Sequence, residues 1–94
     1  MNISDYRIKI SDNIIIVTSK LKMNLDVLSE VKELFENTSL RFYRYGMYTD
    51  TLGYYHGYDF IKKRFIYCGS MSYPEALKLM NKYIETNEQD MGIV

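Results

Sequence analysis

Residues 41–67 read RFYRYGMYTDTLGYYHGYDFIKKRFIY, and their reading decides the fold. Seven of the chain's ten tyrosines lie in this run, with Arg41, Arg44, Lys62, Lys63 and Arg64 among them. Aromatic side chains suit a pleated, half-buried surface better than a helix. The run therefore predicts two or three antiparallel strands: 41–49, 51–58 after a turn at Asp50-Thr51, and a short 64–67. In the first, Phe42, Arg44, Gly46 and Tyr48 alternate with Arg41, Tyr43, Tyr45 and Met47. Tyr43, Tyr45 and Met47 make the better core set, because Arg44 is costly inside without a partner. Gly46 marks a bulge or a close backbone approach.

Upstream, residues 5–10 (DYRIKI) alternate as a strand, with Tyr6, Ile8 and Ile10 on one side and Arg7 and Lys9 on the other. Asp12 and Asn13 favour a tight turn. Residues 14–18 (IIIVT) follow as a strand whose β-branched run points to burial on both faces. Asn24 then caps an amphipathic helix, with Asp26 in its first turn and Leu25, Leu28, Val31 and Phe35 on its apolar stripe. Asn37, Thr38 and Ser39 end it. Downstream, Ser72-Tyr73-Pro74-Glu75 is a helix start: Ser72 caps, Glu75 reaches back, and Pro74 lacks a donor that the first turn leaves free. Tyr73, Leu77, Met80 and Ile84 form the inner stripe of this second helix, which runs to about Thr86. Residues 87–94 show no strong periodicity and read as a frayed tail, with Ile93 and Val94 as the residues able to pin it.

The order is thus β-β-α-β-β-(β)-α. The expected fold is α+β: one mostly antiparallel sheet of four or five strands with both amphipathic helices on one face, the other face open. A chain of 94 residues makes one domain, spanning residues 1–94. A core this small leaves modest stability, which makes a homodimer plausible.

Composition excludes several functions. Twelve basic residues balance twelve acidic ones, which argues against a strongly basic nucleic-acid binder and against an acidic mimic of DNA. The distribution is uneven. Residues 1–22 carry four cations against two carboxylates, 23–40 one against four, 41–67 five against two, and 68–94 two against four. Expected strands are basic and expected helices acidic. Cys68 is the only cysteine, so no intramolecular disulfide forms, and a reducing, cytoplasmic location is expected. No signal-peptide pattern or membrane-length apolar run is present. Residues with AT-rich codons dominate and alanine occurs once, as in a low-GC genome or a virus or mobile element of such a host.

No phosphate-binding glycine loop or nucleophile turn is present, and one histidine with one cysteine is too few for a metal site. No cofactor is expected. His56 as a general base needs a partner to set its tautomer, and Asp50 or Asp59 can serve. The ordinary alternative is a partly exposed strand or loop histidine. Tyrosine and arginine are characteristic of protein interfaces, so Arg44, Tyr48, Tyr54, Tyr55 and Tyr58 are interface candidates, with Arg41, His56, Lys62, Lys63 and Arg64 beside them. The leading expectation is a small non-enzymatic protein-binding module, such as a viral or mobile-element accessory or inhibitor protein. Single-stranded nucleic-acid binding through the aromatic and basic strands is the alternative, and a small hydrolase using His56 is the third.

Overall fold

The computed structural model describes residues 3–92, with side chains described from 4 to 87. After a short turn of 3-10 helix at Ile3–Asp5, the elements are β1 (Arg7–Ser11), β2 (Ile14–Thr18), α1 (Leu25–Ser39), β3 (Tyr45–Thr49), β4 (Tyr55–Asp59), β5 (Arg64–Ser70) and α2 (Tyr73–Gly92). The five strands form one sheet in chain order. Pairing is antiparallel except between β2 and β3, which are parallel because α1 carries the chain back to the end from which β2 started. The fold is the expected mostly antiparallel α+β arrangement. No described helix is long and apolar enough to cross a membrane.

Local signals explain the element ends. Asp12 takes the left-handed geometry that turns β1 into β2, with φ 52°. Asn24 caps α1 by accepting the Val27 N–H at 2.9 Å. The helix stops at Leu40, also left-handed at φ 58°, whose N–H donates to the Glu36 carbonyl at 2.8 Å. Ser72 accepts the Glu75 N–H at the start of α2, at a long 3.4 Å. Residues 87–92, expected as a tail, continue α2 as helix, and Asn87 is buried, where its side chain accepts the Lys62 ammonium at 2.6 Å. Ile93 and Val94 lie outside the described residues.

The two helices lie on opposite faces of the sheet, not together on one. Ile15 and Val17 of β2 pack with Leu28 and Val31 of α1. Their neighbours Ile14 and Ile16 pack with Ala76 and Met80 of α2. Successive strand residues point to opposite faces, so a strand apolar at every position needs cover on both. Two helices on one side would leave half of the isoleucines in water. The helices are also offset: α1 sits over β2 and β3, with Ile8 and Ile10 of β1 against its cluster, while α2 sits over β4 and β5. Each face therefore keeps one open half.

Strand limits differ from expectation within 41–67. Residues 41–44 are a loop, so Tyr43 packs towards α1 while Tyr45 and Met47 pack towards α2, all three buried as expected. β5 is longer than 64–67 and carries two bulges. Tyr58 pairs with Phe65 but Gly57 with Tyr67, leaving Ile66 extra; His56 pairs with Cys68 but Tyr55 with Ser70, leaving Gly69 extra at φ 85°. The first bulge lets Ile66 and Tyr67, adjacent in sequence, both reach the α2 cluster.

Candidate interaction surface

The open half of the α1 face, over β4 and β5 beside the covered β3, is paved with aromatic rings. Tyr48 and His56 are direct cross-strand partners, and their rings stack at 5.0 Å between centroids and 12° between planes. Phe65 on β5 meets the His56 ring edge-on at 6.4 Å and the Tyr58 ring at 5.1 Å. Tyr58 in turn meets Phe60 at 5.2 Å. These offset and edge-on contacts are the favoured aromatic geometries. Tyr48 is buried beneath the others, while Phe65 is 40% exposed.

Phe60 joins this strip to a groove of about 450 Å³ between the loop after α1 and the β4–β5 turn. Phe42 and Ile61 line that groove, 83% and 67% exposed. Its polar part is internally paired. Buried Glu36 accepts the Tyr43 N–H at 2.7 Å and the Lys32 ammonium at 2.9 Å, and that ammonium lies 4.6 Å from the Phe60 ring centre. Gly46 makes the close approach expected of it: a Cβ there would stand 2.7 Å from Phe60 Cε2.

His56 has the partner its tautomer needs, and the partner is Asp50. His56 Nε2 lies 2.7 Å from Asp50 Oδ2. The other carboxylate oxygen accepts the N–H groups of Leu52 and Tyr54. The His56 contact foremost, with those two backbone donors, holds the Asp50 carboxyl below its usual range. Cys68 is exposed and pairs across the strands with His56, yet no described hydrogen bond links thiol to imidazole. Among the described residues no group of three metal-ligating side chains occurs. The arrangement orients a stacked imidazole and holds the β3–β4 turn in shape.

Asp59 performs a different task. It is fully buried and receives Arg44 through Nε at 3.4 Å and Nη2 at 3.2 Å, the Tyr83 hydroxyl at 2.8 Å, and the N–H groups of Ile61 and Lys62. Burial by itself would raise its pKa; these hydrogen bonds outweigh it, and the carboxyl lies below the usual range.

The predicted site residues therefore divide. Tyr48, His56 and Tyr58 share the open aromatic half. Tyr55 packs on the α2 side, and Tyr54 is partly exposed just after the β3–β4 turn. Arg44 is held by Asp59, Lys62 donates to Asn87, and Arg64 donates to the Tyr83 hydroxyl at 3.3 Å. Arg41 lies over the Tyr43 ring, and Lys63 occupies the β4–β5 turn at φ 54°. The five cations thus form no single patch. The groove residues Phe42, Phe60 and Ile61, and Phe65 of the adjoining strip, were not singled out from sequence, although all four belong to the same aromatic run. No family model matches the chain, and no curated protein or solved structure matches it significantly.

Proposed function

We propose that this chain is a small non-enzymatic protein-binding module that docks its partner on the open half of the α1 face. The observation that carries this is the exposure of Phe42 and Ile61 beside a groove continuous with the Phe60–Tyr58–Phe65 strip. Contiguous exposed apolar surface beside an ordered polar rim is characteristic of docking sites. The width indicates the occupant. α1 covers β2 and β3, so the open strip is the width of β4 and β5, two strands of about 4.8 Å spacing, which matches the diameter of one α-helix with its side chains. A partner helix would lie beside α1 with its apolar stripe on Phe60, Tyr58 and Phe65. Arg41, next to Phe42, and Lys63, two residues after Ile61, have no ion-pair partner among the described residues and favour acidic flanks on that helix.

An accessory or inhibitory role in a virus or mobile element suits the chain's abundance of residues with AT-rich codons. The strand-binding alternative asks Arg44, Lys62 and Arg64 to contact phosphate, and each already has an intramolecular partner. A hydrolase reading asks His56 to act on a nucleophile that no described hydrogen bond brings to it.

The test compares immobilised wild type with the Phe42→Glu/Ile61→Glu variant against host extract, with sedimentation of each alone. A discrete protein retained by wild type and lost by the variant supports the reading. Concentration-dependent self-association abolished by the variant assigns the surface to a second copy instead. Identical recovery by both proteins, without self-association, overturns it.

A further inference from the structure

The other open part lies on the α2 face, over β1 beside the covered β2, and its chemistry is different. Arg7 and Lys9, two residues apart on β1, point to the same side and pair across with Thr18 and Ile16. Facing them across a hollow of about 170 Å³ are Tyr55 of β4 and Tyr73, the first residue of α2. Among the described residues no carboxylate lines this hollow. Neither Arg7 nor Lys9 has an ion-pair partner among the described residues. The Lys9 ammonium instead rests 4.8 Å from the centre of the Tyr73 ring. The Tyr55 and Tyr73 rings are 5.9 Å apart and tilted by 55°, forming an aromatic wall. Arg7 and Thr18 also line a second, wider hollow of about 560 Å³, where Lys20 adds a third cation and Asp5 a carboxylate.

We infer that this cleft between β1 and the start of α2 binds the phosphate ester of an aromatic base, that is, a nucleotide phosphate. Arg7 and Lys9 supply charge and donors for the phosphate oxygens. The Thr18 hydroxyl is within the same lining. The Tyr55 and Tyr73 rings supply the apolar wall against which a base stacks. A hollow of this size is below that of a pocket for a whole drug-sized ligand, so it takes the phosphate and one ring face, while the adjoining hollow leaves room for the rest. The phosphate can belong to a free nucleotide or to a single strand. The site shares no residue with the proposed docking surface, so either assignment can fail without the other.

The experiment titrates the full chain, isotope-labelled for amide NMR at low ionic strength, with inorganic phosphate, adenosine 5′-monophosphate and an oligothymidylate. Saturable shifts confined to the amides around Arg7, Lys9, Thr18, Tyr55 and Tyr73 are expected with the nucleotide or the oligomer. The Arg7→Gln/Lys9→Gln variant should keep the spectrum of the folded protein and bind at least about tenfold more weakly. Tighter binding of the oligomer assigns the phosphate to a strand, and equal or tighter binding of the nucleotide assigns it to a free ligand. Three results would each overturn the inference: binding of inorganic phosphate alone, affinity undiminished in the variant, or no shift with any of the three.

Discussion

Asp59 and Arg44 form the pair that ties the end of β4 to the loop entering β3: the carboxylate is fully buried and the guanidinium mostly so, 3.2 Å apart. Fifteen residues separate them in the chain, and they meet because Tyr45 and Asp59 are register partners across β3 and β4. Removing one partner of a buried pair leaves the other uncompensated. Asp59→Asn is expected to destabilise the fold by about 3 kcal/mol, measured by urea unfolding at neutral pH.

The same pair predicts an acid response. The Asp59 carboxyl titrates below its usual value in the folded chain and at the ordinary value, near ~3.9, when unfolded. Its contribution to stability is therefore complete above the unfolded value and is lost as pH falls through the depressed folded one. Unfolding free energy should fall from about pH 5 downward. That fall should be shallower in Asp59→Asn. An identical slope in both proteins would remove Asp59 from the cause.

Tyr67 presents the opposite case. Its hydroxyl is buried on the α2 side with no hydrogen-bond partner among the described residues, and burial foremost drives its pKa well above the usual tyrosine value. A buried polar atom without a partner costs about 1–3 kcal/mol. Tyr67→Phe should leave stability unchanged or raise it by about 1 kcal/mol. A large loss on thermal or urea unfolding would mean that the hydroxyl has a partner after all.

Gly57 is expected to accept no side chain. A Cβ there would stand 2.5 Å from Tyr67 Cε1 and 3.0 Å from Met80 Cε, between the sheet and α2. Gly57→Ala should cost about 1–3 kcal/mol through overpacking. At Gly53, where nothing lies within 4 Å but φ is 86°, the cost of alanine is backbone strain alone, of about 1 kcal/mol. Comparing the two variants by urea unfolding separates crowding from conformation.

Phe42→Glu and Ile61→Glu should be nearly silent in stability, within about 0.5 kcal/mol, because both side chains are mostly in water. Their effect should appear in binding. Substantial unfolding of either variant would show that these residues serve the fold instead of a partner.

Much of the architecture is local and was legible. The Asp12-Asn13 turn, the Asn24 cap, the Ser72 helix start and the two apolar stripes each depend on residues a few positions apart. The Ile14–Val17 run also held the answer to helix placement. A strand apolar on both faces needs two covers, so the two amphipathic helices part to opposite faces, whereas their number alone permits both on one side. The aromatic run showed its strands but not their limits, since the bulges at Ile66 and Gly69 depend on how β5 meets β4.

Which residues share a surface was decided by tertiary structure alone. Tyr48 and Tyr55 both read as interface tyrosines, but their strand positions send one to the α1 side and the other to the α2 side. Asp50 and Asp59 were equal candidates for His56 until the β3–β4 turn set Asp50 beside the imidazole and the β4–β5 turn set Asp59 under Arg44. Phe42 and Ile61 flank one groove from loops nineteen residues apart, and Lys9 meets Tyr73 from opposite ends of the chain. A cap, a turn or an amphipathic stripe is an interaction between near neighbours and is written in their identities. A surface is made by strand register and helix placement, which arise from the packing of all elements together, and no short stretch of sequence carries them.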